Sequence, residues 1–117
     1  MVESARLPKD TMRVPVSAAL GFVRDVFVAA GCSRETAELV ADVLVSADLR
    51  GVRSHGVARI SYFMVRIERG TLNVCPTMTT TTGSDTTALL DADNGLGIIA
   101  SSVAMDLAID MAARHGS

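Results

Sequence analysis

The stretch Thr77-Met78-Thr79-Thr80-Thr81-Thr82-Gly83-Ser84-Asp85-Thr86-Thr87-Ala88-Leu89-Leu90-Asp91 marks a change in the residue pattern of the chain. Thr77 to Thr82 and Thr86 to Asp91 are rich in β-branched residues, which are stiff at χ1 and favour extended backbone. Gly83-Ser84-Asp85 separates the two runs, so they are predicted as a hairpin or two adjacent strands. Everything around this stretch repeats at the helical period, and its extended reading therefore decides the fold class. The expectation is α+β: an N-terminal three-helix lobe, followed by two strands and a long helix.

Upstream, residues 1 to 12 read as a loose polar arm, and Pro15 keeps Arg13 and Val14 extended. Ser17 is expected to cap a first helix, with Ala19, Phe22, Val23, Val26, Phe27 and Ala30 inward and Gly31 as its stop. Ser33 restarts the pattern as an N-cap, with Glu35 in the first turn and a stripe of Ala37, Val40, Ala41, Leu44 and Ala47 ending near Gly51. A third helix is predicted from about Ser54 to Arg69, with Ile60, Phe63, Met64 and Ile67 as its core stripe and Gly70 closing it. Downstream, Asp93-Asn94-Gly95 signals a turn into a fourth helix over Leu96 to Arg114, with Ala100, Val103, Ala104, Leu107, Ala108 and Met111 inward.

The 117 residues suffice for one well-developed domain and not for two. At 49% hydrophobic and 21% charged, the chain has material for a core and no composition of disorder. The aromatic share of 3%, with no Trp, leaves little for stacking nucleic-acid bases, and a net charge of −2 gives no general attraction to polyanions. Apolar runs fall far below the roughly 20 residues that span a bilayer. Cys32 and Cys75 fit neither a metal spacing nor a disulfide framework and read as packing residues. With no signal segment, the expected setting is reduced and cytoplasmic.

Chemistry concentrates on the third predicted helix. At roughly 100° per residue, His55, Arg59, Tyr62 and Arg66 fall within about 60° of one another, beside the apolar stripe. An arginine can hold a carboxylate through two parallel hydrogen bonds, a geometry lysine does not reproduce. An imidazole one turn away can exchange a proton near neutral pH. Ser54, His55 and Gly56, placed at the helix start, would offer free N–H groups to an anion. A small 2-hydroxy or 2-oxo acid suits this array, with its carboxylate on Arg59 and its C2 oxygen facing His55. The same spacing also suits a solvated helix face; Tyr62 can cover the core rim, and Arg66 and Arg69 complement the helix C-terminus.

The string Ala47-Asp48-Leu49-Arg50-Gly51-Val52-Arg53-Ser54-His55-Gly56 with Arg59, then Ile67 to Gly70 and Asn73, resembles the N-terminal part of the type-2 malate/L-lactate dehydrogenase family. Ala88 to Gly97 and Arg114-His115-Gly116 resemble the same family in the same order. The resemblance implies a non-Rossmann oxidoreductase moving a hydride between NAD or NADP and a 2-oxo or 2-hydroxy acid. It further implies His55 as proton donor beside the nicotinamide, Arg59 on the substrate carboxylate, and a homodimer. An aromatic residue near Tyr62 recurs in the family at a variable offset, so Tyr62 joins Ser54 as a substrate-side candidate.

Family members are considerably longer, so the resemblance implies a helical substrate-side lobe with an N-terminal arm over 1–73 and, over 74–117, the opening strands and helix of a larger mixed α/β cofactor domain; the remainder of the enzyme is expected C-terminal to Ser117, and the 117 residues alone are expected to be inactive. Cofactor-contacting residues remain unassigned, because Asn94-Gly95-Leu96-Gly97 lacks the third glycine of a dinucleotide loop and reads better as a turn. No metal set is expected; Asp91 and Asp93 have no third ligand. Two alternatives stand beside this reading. One is an inactive structural fragment; the other is a helix-turn-helix-like nucleic-acid module built around Gly51.

Overall fold

The computed structural model describes residues 12–116. The arm expected over residues 1 to 12 lies, Met12 apart, outside the described residues. The order is α1 (Val16–Ala29), α2 (Arg34–Leu49), short 3-10 turns at Arg53–His55 and Val57–Arg59, α3 (Ile60–Glu68), β1 (Thr79–Ser84), β2 (Thr87–Asp91) and α4 (Gly97–His115). Three helices thus precede a two-stranded antiparallel sheet and a long helix, as the α+β expectation requires.

α1 and α2 form the foundation. Gly31, at φ 103°, reverses the chain, and the Ser33 hydroxyl accepts from the Thr36 N–H at 3.1 Å to start α2. Their facing stripes, Val23 and Phe27 against Ala37, Val40, Ala41, Leu44 and Val45, are buried, and Phe63, Leu72 and Leu96 close the same cluster. Two details of α1 differ from expectation. Pro15, not Ser17, takes the N-cap, where a fixed φ of −57° and a missing N–H carry no penalty, and the Ala19 N–H bonds to its carbonyl at 3.0 Å. Phe22 is 59% exposed, because the α1–α2 contact is centred on Val23 and Phe27 and leaves it at the rim.

The hairpin registers Thr79 with Asp91 and Thr82 with Ala88, then shifts at Gly83 so that Ser84 meets Thr87. Gly83 is therefore a bulge inside β1, and the turn consists of Asp85 and Thr86, closed by a 2.8 Å bond between the Ser84 and Thr87 hydroxyls. At the far end, Asp93 and Asn94 take φ of 48° and 56°, the left-handed turn that Asp and Asn tolerate. The Asp93 carboxylate accepts from Asn73 at 3.0 Å and from the Thr77 N–H at 2.9 Å, which ties the turn to the segment ahead of β1.

α4 departs most from expectation. Leu96 at its N-cap and Met111 near its end are buried, whereas Val103, Ala104 and Ala108, expected inward, are exposed. Its start packs on the helical core through Leu96 and the half-buried Ile98 and Ile99, and a groove of about 400 Å³ remains between α4 and the hairpin. The molecule is correspondingly extended, with a Cα radius of gyration of 17.3 Å, against about 13 Å for a compact chain of this length.

Cys32 is buried and Cys75 exposed, with the Cys75 thiol donating to the Gly31 carbonyl at 3.6 Å. Burial, and secondarily the neighbouring Cys75, pushes the Cys32 thiol above its ordinary pKa. Maleimide labelling at pH 8 should therefore modify Cys75 at least about tenfold faster than Cys32. Comparable rates would contradict the buried placement. Because the unfolded chain ionises Cys32 first, this residue's contribution to stability should fall as pH rises above about 8.5.

Candidate active site

The third helix does not begin where the sequence suggests. After α2 the chain reverses at Gly51 (φ 80°), makes one 3-10 turn over Arg53–His55, extends at Gly56 and makes a second over Val57–Arg59. α3 opens only at Ile60, with Arg59 as its N-cap. The anion site expected at a helix start over Ser54 to Gly56 therefore has no α-helix start behind it, and the N–H groups of His55 and Gly56 are spent on the carbonyls of Val52 and Arg53, at 3.0 and 3.2 Å. His55 also does not share a helical face with Arg59, since the backbone between them is extended at Gly56. Gly56 and the two turns also remove the helix-turn-helix alternative: residues 50–59 separate the helices, more than its short turn of about 3–4 residues.

Each candidate side chain nevertheless has a defined setting. The Ser54 hydroxyl lies 2.9 Å from His55 Nδ1. A hydroxyl can donate or accept, so it serves either ring state and fixes the imidazole edge-on, leaving Nε2 for another partner. The Arg59 guanidinium lies 4.3 Å from the centroid of the Tyr62 ring and 5.9 Å from that of Phe63. None of the ion pairs among the described residues uses Arg59; they join Arg24 to Asp25, Arg34 to Glu38 and Arg114 to Asp110. Arg66 is committed differently. It donates to the Tyr62 hydroxyl at 3.4 Å and to the Thr71 carbonyl at 3.0 Å, tying down the end of α3.

One participant escaped the sequence reading. Asp48, in the last turn of α2, accepts the Val57 N–H at 2.9 Å, and its carboxylate fills the space where a side chain at Gly56 would stand. The contact runs between a side chain and a backbone group nine residues away, which neither periodicity nor spacing reports.

Against this geometry, a family model described as malate/L-lactate dehydrogenase matches residues 14–117. The chain belongs to the malate/L-lactate dehydrogenase family. This family member is 36% identical over 116 residues to malate dehydrogenase of Pyrococcus abyssi, a match covering 99% of the chain and 32% of that protein. It is 41% identical over 87 residues to ureidoglycolate dehydrogenase (NAD(+)) of Escherichia coli, covering 74% of the chain and 25% of that protein. The solved malate dehydrogenase of Pyrococcus horikoshii superposes at a TM-score of 0.91 with 37% identity, across 99% of this chain and 33% of that one. The chain spans about a third of the length of the malate dehydrogenases it matches.

A Cβ at Gly97 would meet nothing within 4 Å, whereas at Gly95 the glycine requirement comes from within: a Cβ there would stand 2.7 Å from Pro76 Cγ, and the Gly95 N–H is bonded to the Ala92 carbonyl at 2.8 Å. The Asn94 amide is likewise spent, on the Thr71 carbonyl at 2.9 Å. What the described residues offer here is an imidazole hydrogen-bonded to Ser54 and a guanidinium without a carboxylate partner among them.

Proposed function

We propose that this family member forms the substrate-side part of an NAD(P)-dependent dehydrogenase interconverting small 2-oxo and 2-hydroxy acids. The observation that carries the reading is the Arg59 guanidinium, laid on the Tyr62 ring with no protein carboxylate bound to it among the described residues. A substrate carboxylate is the natural complement of that planar fork. His55, held at Nδ1 by Ser54, gives the C2 oxygen its proton in reduction and takes it back in oxidation. A bound nicotinamide would supply or accept the hydride at C2. Tyr62 acts as the platform under Arg59, and Ser54 orients the imidazole through its hydroxyl.

Residues 74–117 are proposed as the opening of a larger α/β domain. α4 carries apolar residues around its circumference, with Val103, Met105 and Ile109 all exposed, and a helix of that kind belongs inside a larger body. A homodimer in a cytoplasmic setting accompanies the proposal, and among the described residues no helix is long and apolar enough to cross a membrane. The 117 residues by themselves are proposed to be inactive. Adding NADH or NADPH should then leave their melting temperature unchanged, and a rise would show that a cofactor site persists.

The direct test is oxidation of NADH or NADPH by the intact protein with pyruvate, oxaloacetate and related 2-oxo acids, compared with Arg59→Lys. Loss of the bidentate fork should raise KM for the acid about 10–100-fold and change kcat much less. Tyr62→Phe keeps the ring beneath Arg59 and should leave KM within about threefold. An unaltered KM in Arg59→Lys removes Arg59 from the carboxylate site.

A further inference from the structure

Three observations converge on one carboxylate outside the set of substrate-contacting groups. His55 and Arg59 lie on separate 3-10 turns, and the peptide joining those turns is Gly56–Val57. The Val57 N–H is held by Asp48 at 2.9 Å. Gly56 is buried, and the Asp48 carboxylate occupies the volume any Cβ there would need. A single side chain of α2, whose neighbours Leu44 and Val45 are anchored in the core, thus sets the height and rotation of the hinge between the two candidate chemical groups.

We propose that Asp48 is a positioning residue of the site: it registers the His55–Arg59 segment on the α2 scaffold, so that proton donor and carboxylate holder face one substrate. The inference rests on the proposed function. The other hydrogen bond of the Gly56–Val57 peptide is local, from the Arg59 N–H to the Gly56 carbonyl at 2.9 Å, so the Asp48 bond is the one that ties this peptide to α2, beside the packing of the half-buried Val57 on the core. Displacement of either group by about 1 Å is enough to lower turnover about 100-fold.

The test uses the intact protein and four variants. Asp48→Ala should lower kcat/KM for a 2-oxo acid about 100-fold, through both a higher KM and a lower kcat, because Arg59 and His55 move together. Asp48→Asn retains an oxygen acceptor for Val57 and should recover activity to within about tenfold of wild type. Amide hydrogen exchange at Val57 should be fast in Asp48→Ala and slow in Asp48→Asn, a readout independent of catalysis. Should Asp48→Ala fail to fold, Gly56→Ala asks the same question from the other side, since its Cβ would push the carboxylate off Val57; it should show the same loss and the same fast exchange.

His55→Ala separates the two claims. If it is inactive while Asp48→Ala or Gly56→Ala matches wild type, the positioning role is overturned and the site stands. If His55→Ala is as active as wild type, the site reading fails and the role of Asp48 falls with it. Equal loss in Asp48→Asn and Asp48→Ala also overturns the proposal, because a positioning acceptor tolerates the amide.

Discussion

Replacing His55 by alanine should lower kcat for reduction of a 2-oxo acid about 10²–10⁴-fold, the range by which a placed proton donor accelerates such a step. The side chain is exposed, and its hydrogen bond is to the adjacent Ser54, so the fold does not depend on it. The melting temperature should accordingly stay close to that of the parent protein. KM should also move little, since Arg59 remains on its Tyr62 platform to hold the carboxylate. Ser54→Ala, which frees the ring without removing it, should fall between the two. Undiminished turnover in His55→Ala would remove it as the proton donor.

Phe27→Ala should be the most damaging single change to the lobe, lowering stability by about 3–5 kcal/mol, the range for truncating a fully buried aromatic side chain. Phe27 is 0% exposed and meets the Phe63 ring edge-on at 5.8 Å. It is thus the point at which α1, α2 and α3 share one contact. A loss of that size is a large part of a typical domain stability of about 5–15 kcal/mol. Urea unfolding should show a lower midpoint with an unchanged slope. The effect should reach the site as well, because Phe63 follows Tyr62 and lies under Arg59. A loss below about 1 kcal/mol would mean that the aromatic pair is not the keystone of the helical packing.

The sequence was most informative where one face of an element is buried and the other is not. α2 has this character: Ser33 caps it, Gly51 ends it, and Ala37, Val40, Ala41 and Leu44 are buried as their spacing requires. The third helix was overextended because its stripe of Ile60, Phe63, Met64 and Ile67 is genuine, while the preceding residues Arg53 to Arg59 are mostly polar and report no period. The interruption lies in Gly56, whose meaning depends on a carboxylate in another helix. α4 misled for the opposite reason. With apolar side chains on several faces, any stripe can be drawn through it, and packing within these residues selects chiefly its two ends.

Of the candidate site, the identity of the residues was legible and their arrangement was not. His55 and Arg59 stood out by chemistry, yet the common helical face assigned to them does not exist. Ser54 was expected to present a backbone N–H group to an anion and instead bonds the imidazole through its hydroxyl. Arg66 was read as a dipole partner and turns out to fasten α3 to Thr71.

The exposed side chains of the site stand apart from the residues that hold the lobe together. Ser54, His55 and Tyr62 are exposed, and none of them belongs to the buried cluster. Substitutions at such positions usually change stability by no more than about 0.5 kcal/mol. Substrate preference could therefore drift through these side chains over evolutionary time with little selection from folding. Asp48 and Gly56 are different, because there the scaffold and the chemistry share atoms. A lineage could rewrite what this site recognises while that one joint stayed fixed.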